Sequence, residues 1–179
     1  ARARSRASSR IYDGAMPTIR PAQHADIPAI TEIYNEAGVG TTASYALEPV
    51  SVADRRAWFE RLSAGDFPVL VVEEEGIVTG FASYGPFRHL GGYAHTVEHS
   101  VYIGSGHRAA GLGRMLMNAL IDIARGNDVH AMVGVIDGGN AQSIAFHEKL
   151  GFEVSGRLPQ VGRKFDRWLD VVFVTLVFS

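Results

Sequence analysis

The 179-residue sequence contains no cysteine, which excludes a disulfide scaffold, a thiolate nucleophile and any Cys-ligated zinc or iron–sulfur site. It also lacks a long apolar run. Stretches such as Val69 to Val72 and Val171 to Val174 fall far short of the roughly 20 residues that a membrane-spanning helix needs. Positive charge is not in excess either: Lys plus Arg number 17 against 19 acidic residues, a net charge of −2, so no basic field points to nucleic acid. Apolar residues make up 46%, too many for a disordered chain or a fibre. A single domain of this length buries about 70% of the surface of its unfolded chain, enough for a substantial core. What remains is a globular enzyme or a small-molecule binder.

The charge is unevenly spread. Arg2, Arg4, Arg6 and Arg10 lie in the first 15 residues with only Asp13 against them, and the remainder carries 13 basic and 18 acidic residues. The opening ARARSRASSR has too little apolar content to pack. Residues 1–15 are therefore expected to be a disordered leader or an appended segment, with Met16-Pro17 as a natural start and residues 16–179 as one domain.

Beyond Met16 the apolar period alternates between that of strands and that of helices. Thr18–Arg20 reads as a strand. Asp26 is placed to cap a helix with Pro28 in its first turn, and Ile27, Ile30, Ile33, Tyr34 and Ala37 form its apolar stripe. Ser51 and Asp54 make an approximate capping box for a second helix through Trp58 and Leu62. Val69–Glu73 and Ile77–Tyr84 read as an antiparallel pair around Glu75-Gly76, and Thr96–Ile103 as a further strand. Leu112, Met115, Leu116, Ala119, Leu120 and Ile123 recur at helical spacing up to a stop at Gly126-Asn127. A strand at Met132–Ile136, a helix at Asn140–Leu150 and strands at Phe152–Leu158 and Trp168–Phe178 complete the chain. The order predicts a mixed α/β sheet with its helices split between the start and the second half.

Chemistry concentrates where strand Thr96–Ile103 runs into the third helix through Gly104 to Gly113. A helix start leaves N–H groups unpaired and carries partial positive charge, so it attracts phosphate. Gly111 and Gly113 let backbone approach a ligand, and Arg108 adds a fixed cation. A Walker loop is excluded because Gly111 is followed by Leu112-Gly113 rather than Lys and a hydroxyl residue. A dinucleotide fingerprint is excluded by Leu116, where it requires glycine.

The segment Arg108-Ala-Ala-Gly111-Leu-Gly113 resembles instead the Arg/Gln-x-x-Gly-x-Gly/Ala signature of the GNAT N-acetyltransferase superfamily, and the element order resembles it over residues 17–179. That resemblance implies the GNAT fold, of α+β type: a mixed, mostly antiparallel sheet of about seven strands flanked by four helices. It implies acetyl-CoA as cosubstrate, with its pyrophosphate on Arg108, Ala109, Ala110, Gly111, Leu112, Gly113 and Arg114. Val101 and Ile103 would offer main-chain groups to the pantetheine, and an N–H near Tyr102 would steady the oxyanion. Ile136 to Phe152 resembles the family's second cofactor segment, where Asn140 bonds the pantetheine arm and Ser143 lies beside it. Asn140 also reads simply as an N-cap facing Ser143, and both roles can hold together.

Alternation along Thr96–Ile103 sets Val97, His99, Val101 and Ile103 on the face toward the core and Thr96, Glu98, Ser100 and Tyr102 on the other, which leaves Glu98 and Ser100 facing a solvated cleft. An amine must lose a proton before it attacks a thioester, and Glu98 is placed to take it as general base. His147, one turn after Ser143, is the candidate auxiliary acid or positioning group. His95-Thr-Val-Glu98-His99 matches the H-x-x-E-H zinc pattern literally, but that chemistry needs a helix and the β-branched alternation here argues strand, so no metal is expected.

Phe87-Arg88, Thr96 to Tyr102 and Gly156 to Asp170 are together similar to the phosphinothricin / methionine sulfoximine acetyltransferase family. The similarity implies transfer to the α-amino group of a small amino-acid analogue, a homodimer, and Lys164 reaching substrate across the dimer interface. Arg88 is the candidate partner for the substrate carboxylate, with Tyr93 and Ser100 beside it and weaker support for Thr41, Thr42 and Tyr45. The expectation is a cytoplasmic enzyme working by direct transfer, without nucleic-acid or membrane partners. The alternatives are the same fold acting on a polyamine, an aminoglycoside or a protein N-terminus, and a non-catalytic acyl-CoA sensor.

Overall fold

The computed structural model describes residues 16–107 and 111–178. Strands β1 (Thr18–Pro21), β2 (Val69–Glu74), β3 (Ile77–Pro86), β4 (Thr96–Ile103), β5 (Ala131–Asp137), β6 (Glu153–Lys164) and β7 (Arg167–Val177) form one sheet in the order β1-β2-β3-β4-β5-β7-β6. The α-helices are α1 (Ile27–Ile33), α2 (Val52–Ala64), α3 (Leu112–Gly126) and α4 (Ala141–Glu148). Neighbouring strands are antiparallel except β4 and β5, which run parallel because α3 carries the chain across between them. The leader expected at residues 1–15 lies outside the described residues.

Local signals account for most of these elements. Ser51 Oγ accepts the Asp54 N–H at 3.1 Å, and the Asp54 carboxylate accepts the Ser51 N–H at 3.2 Å, closing a capping box on α2. Glu75 and Gly76 both take positive φ, 51° and 81°, which matches the twist of the β2–β3 hairpin. The buried stripe of α3 holds Leu112, Leu116 and Leu120, all fully buried.

Three expectations need correction. Asp26 stands at the N-cap of α1, but its side chain makes no cap bond. Arg20 holds the carboxylate at 2.7 and 2.9 Å, and the Gln23 N–H donates to it at 2.7 Å, so an ion pair between strand and helix outcompetes capping. The first helix also does not continue as an α-helix: Tyr34–Val39 widens into a π-helical turn. Last, β6 runs to Lys164 rather than ending at Leu158. It passes Pro159 on register shifts, with Gln160 at φ 53°.

The sheet is covered on both faces. On one, Leu116 and Leu120 of α3 cluster with Met132 of β5 and Phe152 just before β6, and Ile144 and Phe146 of α4 pack against them. On the other, α1 and α2 pack Ile27, Ile30, Phe59 and Phe81. Tyr102 lies on that second face, its ring 5.3 Å from Tyr34 and 5.4 Å from Phe81. The expected solvated cleft therefore does not extend along the whole outer face of β4.

The opening lies between two strands instead. β4 and β5 pair only at Thr96↔Ala131, Val97↔Met132 and Glu98↔Val133. Beyond Glu98 they fork. β4 stays with β3 as far as Ile103, and β5 stays with β7 as far as Asp137. The facing edges are left without ladder partners, a ready hydrogen-bonding track for an extended ligand.

Candidate active site

Along the fork runs a groove of about 720 Å³, lined by Val101, Tyr102 and Ile103 of β4, Gly111, Gly113 and Arg114 at the start of α3, and Asn140, Ser143 and Phe146 of α4. Gly111 is the N-cap of α3 at φ 75°, a left-handed conformation that favours glycine and turns the unpaired N–H groups of the first turn outward. A Cβ on Gly113 would stand 3.6 Å from the Phe146 ring, an ordinary contact, so Gly111 with its positive φ is the position of the two that requires glycine. Leu112 is fully buried, which leaves only its backbone for a ligand. Arg108, Ala109 and Ala110 lie outside the described residues. Asn140 caps α4, its Oδ1 accepting the Ser143 N–H at 3.0 Å, and this leaves the amide nitrogen for other partners.

A second chamber of about 230 Å³ opens at the head of the fork, between Thr42, Ser44 and Tyr45 on one side and Glu98, Ser100 and Tyr102 on the other. Glu98 keeps an exposed surface, yet the enclosing walls push its carboxyl above the usual carboxylate range, while the charge of Arg88 acts the opposite way. Arg88 is itself exposed, its guanidinium 4.8 Å over the Phe87 ring, and Tyr93 packs on the other part of that ring at 5.8 Å. Burial also pushes the Tyr102 hydroxyl well up.

The groove and the chamber that holds the raised Glu98 carboxyl meet at Thr42, Ala43 and Tyr102, which line both. The scan against family models matches residues 27–152 to the "Acetyltransferase (GNAT) family". The chain belongs to that family. A methionine sulfoximine/methionine sulfone acetyltransferase of Pseudomonas paraeruginosa is 49% identical over 160 residues, 89% of this chain and 93% of the relative. Among solved structures, a GNAT phosphinothricin acetyltransferase from Sinorhizobium meliloti in complex with acetyl-CoA is 34% identical. It superposes with a TM-score of 0.88, covering 91% of this chain and 89% of its own. A ribosomal-protein-alanine N-acetyltransferase from Brucella melitensis is 46% identical with a TM-score of 0.88, covering 90% of this chain and 99% of its own.

GNAT acetyltransferases use acetyl-CoA, and the groove in this acetyltransferase fits it: glycine-lined N–H donors stand at one end and open strand edges along the length. Among the described residues, no group of three or more ligating side chains could hold a metal. The zinc-like segment is not helical: His95 stands in the turn before β4, against Asp128 at 3.3 Å, and Glu98 and His99 are in the strand, with His99 buried. No helix is long and apolar enough to cross a membrane among the described residues.

Lys164 stands where the sequence did not place it. It is 4% exposed, and its Nζ donates to the carbonyls of Val39, Thr41 and Ser44 at 2.6, 2.7 and 2.6 Å. An ammonium has three hydrogens, so none remains for a substrate. The residue pins the loop that roofs the second chamber. Tyr45 reinforces it, its hydroxyl donating to the Asp170 carbonyl at 2.7 Å. Buried beside Asp137, the Tyr45 phenol is pushed up to about 12. His147 is 4% exposed, and both ring nitrogens are engaged: Nδ1 with the Ser143 carbonyl at 2.7 Å and Nε2 with His99 Nε2 at 3.0 Å. Sequence reasoning met His99 only as a core-facing strand position and as part of a rejected zinc pattern, not as the neighbour of His147.

Proposed function

We infer that the enzyme transfers the acetyl group of acetyl-CoA to the α-amino group of a small amino acid analogue of the methionine sulfoximine, methionine sulfone or phosphinothricin type. The observation that carries this is the pairing at the head of the fork: a carboxyl raised by burial, with a guanidinium acting on it from the neighbouring loop. Glu98 takes the proton of the ammonium, and Arg88 receives the substrate carboxylate. Acetyl-CoA supplies the activated acyl group. Val101 and Ile103 line the pantetheine track, Asn140 and Ser143 flank it, and residues 108–114 cradle the pyrophosphate. The tetrahedral oxyanion is steadied by a backbone N–H near Tyr102. The names of the methionine sulfoximine and phosphinothricin relatives support the substrate class.

The exposed outer hairpin bears Val154, Leu158, Val161, Phe165 and Trp168, an apolar row that suits a second copy of the chain. Sedimentation should then report a dimer at micromolar concentration. A monomer there would remove that part of the proposal.

The deciding assay follows thiol release from acetyl-CoA over a panel of methionine sulfoximine, methionine sulfone, phosphinothricin, ordinary amino acids, polyamines, an aminoglycoside and a peptide with N-terminal alanine. Turnover confined to the free amino-acid analogues is expected. Preference for the peptide, the activity named in the Brucella melitensis relative, would replace the substrate and leave the acetyl-CoA site in place.

A further inference from the structure

Behind the fork, two buried histidines face each other. His99 Nδ1 lies 3.0 Å from the Val133 carbonyl, His147 Nδ1 lies 2.7 Å from the Ser143 carbonyl, and the two Nε2 atoms are 3.0 Å apart. A carbonyl oxygen only accepts, so each Nδ1 must carry a hydrogen. A third hydrogen is then needed between the Nε2 atoms, where two bare lone pairs would repel. Two neutral imidazoles bring only two hydrogens to these three positions. The arrangement is complete when the pair holds a third proton and one positive charge.

The surroundings fit such a pair. His99 is the first β4 residue past the last β4–β5 rung, and its ring takes the Val133 carbonyl just where the strands part. Gly134 makes room for it, since a Cβ there would meet His99 Cε1 at 2.7 Å. The Phe152 ring packs on both histidines and Phe146 on His147. Both histidines line a small cavity of about 80 Å³ with Ser100, Val101, Asn140 and Ser143. The titratable neighbours that share this cavity are Asp137 from β5 and Tyr102 from β4. Glu98 and Tyr45 border the adjoining chamber with His99, where β7 contributes only Val171. From α4 itself the cavity receives no titratable side chain besides His147.

We propose that His99 and His147 act as one proton-holding unit, in which His99 is the positioning residue that keeps an exchangeable proton on the Nε2–Nε2 line beside the fork. The unit rests on the acetyl-transfer reading above and deepens it. As the thioester C–S bond breaks, the pair gives one proton to the thiolate sulfur. It passes from three ring protons to two and from +1 to neutral, while the thiolate is neutralised. Solvent restores the proton, and the protons of the ammonium leave by way of Glu98. Burial works against charge on either ring, and His147 works against charge on His99, while the Val133 and Ser143 carbonyls favour it, so the third proton is held loosely enough to be given up.

Histidine ring ¹⁵N spectra of the wild-type protein across pH test this without substrate. The expected result is that both Nδ1 atoms stay protonated while the two Nε2 signals move together in a single one-proton step. Two separate one-proton steps, an unprotonated Nδ1 on the folded protein, or no uptake of a third proton before acid unfolding would each overturn it. A His99→Phe variant keeps an aromatic ring against Phe152. In it His147 should titrate alone, and kcat should fall about tenfold or more. The high-pH limb of kcat should also move, with KM for acetyl-CoA held. An unmoved limb in a folded variant overturns the positioning role. The spectra stand or fall whichever amine proves to be the substrate.

Discussion

Around the larger groove, Val101–Ile103 with Gly111–Arg114, and then Asn140–Phe146, arrive as two stretches in which the chain enters a helix start. Around the second chamber, Thr42–Tyr45, Arg88, Glu98 and Lys164 come from four separate segments, held by bonds such as Lys164 Nζ to the Val39 carbonyl across 125 residues. The first wall works through backbone: left-handed glycine, helix N–H groups and open strand edges. The second works through side chains whose placement depends on one another. A backbone wall suits a cosubstrate common to a whole family, and a side-chain wall suits an amine that differs from member to member.

The sharpest way to break this contrast is Glu98→Gln. It should lower kcat/KM by roughly 10² to 10⁴ and leave CoA affinity by calorimetry unchanged. Loss of CoA binding would mean that the two walls are not separable. The pH profile adds a sign. In the proposed role Glu98 acts ionised; its affinity for protons is raised by burial and lowered by Arg88, so activity is expected to fall as pH drops through a value above the ordinary glutamate range. In Arg88→Met that limb should move to higher pH.

Lys164→Met should come next, through stability. Three buried carbonyls lose a charged donor, and a cost of about 2–4 kcal/mol is expected by urea unfolding, together with a weakened chamber roof. An unchanged midpoint would show that the roof does not need its pin. Arg88→Met should raise KM for the amine about tenfold, the order of one lost guanidinium–carboxylate contact, with KM for acetyl-CoA steady. The smallest effect belongs to Asn140→Ala, about 1 kcal/mol from the lost α4 cap, read by thermal unfolding. If CoA affinity also drops, Asn140 serves both helix and ligand.

The same division explains what could be read from sequence. Helix α3 was legible because six apolar residues at helical spacing and a glycine-rich entry are local signals, and they shape the wall proposed for the cosubstrate. The seven strands followed for the same reason. The amine wall was legible in residue type but not in destination. Lys164 looks like any hairpin cation until three carbonyls of a distant loop surround it, and nothing in Tyr34–Val39 announces a π turn. Tyr102 follows the strand alternation correctly, yet whether its face meets water or another ring depends on where α1 and α2 settle. His99 reads as a core position, and only its neighbour on α4 gives it a chemistry.

The ladder between the β1–β4 half of the sheet and the β5–β7 half has only three rungs, all between β4 and β5. Whatever fills the gap beyond them acts as a rivet, replacing rungs that the polypeptide itself omits. Occupancy should therefore stiffen the whole molecule, not just its pocket, and amides of β4 and β5 far from any ligand atom should exchange more slowly with deuterium once the seam is closed.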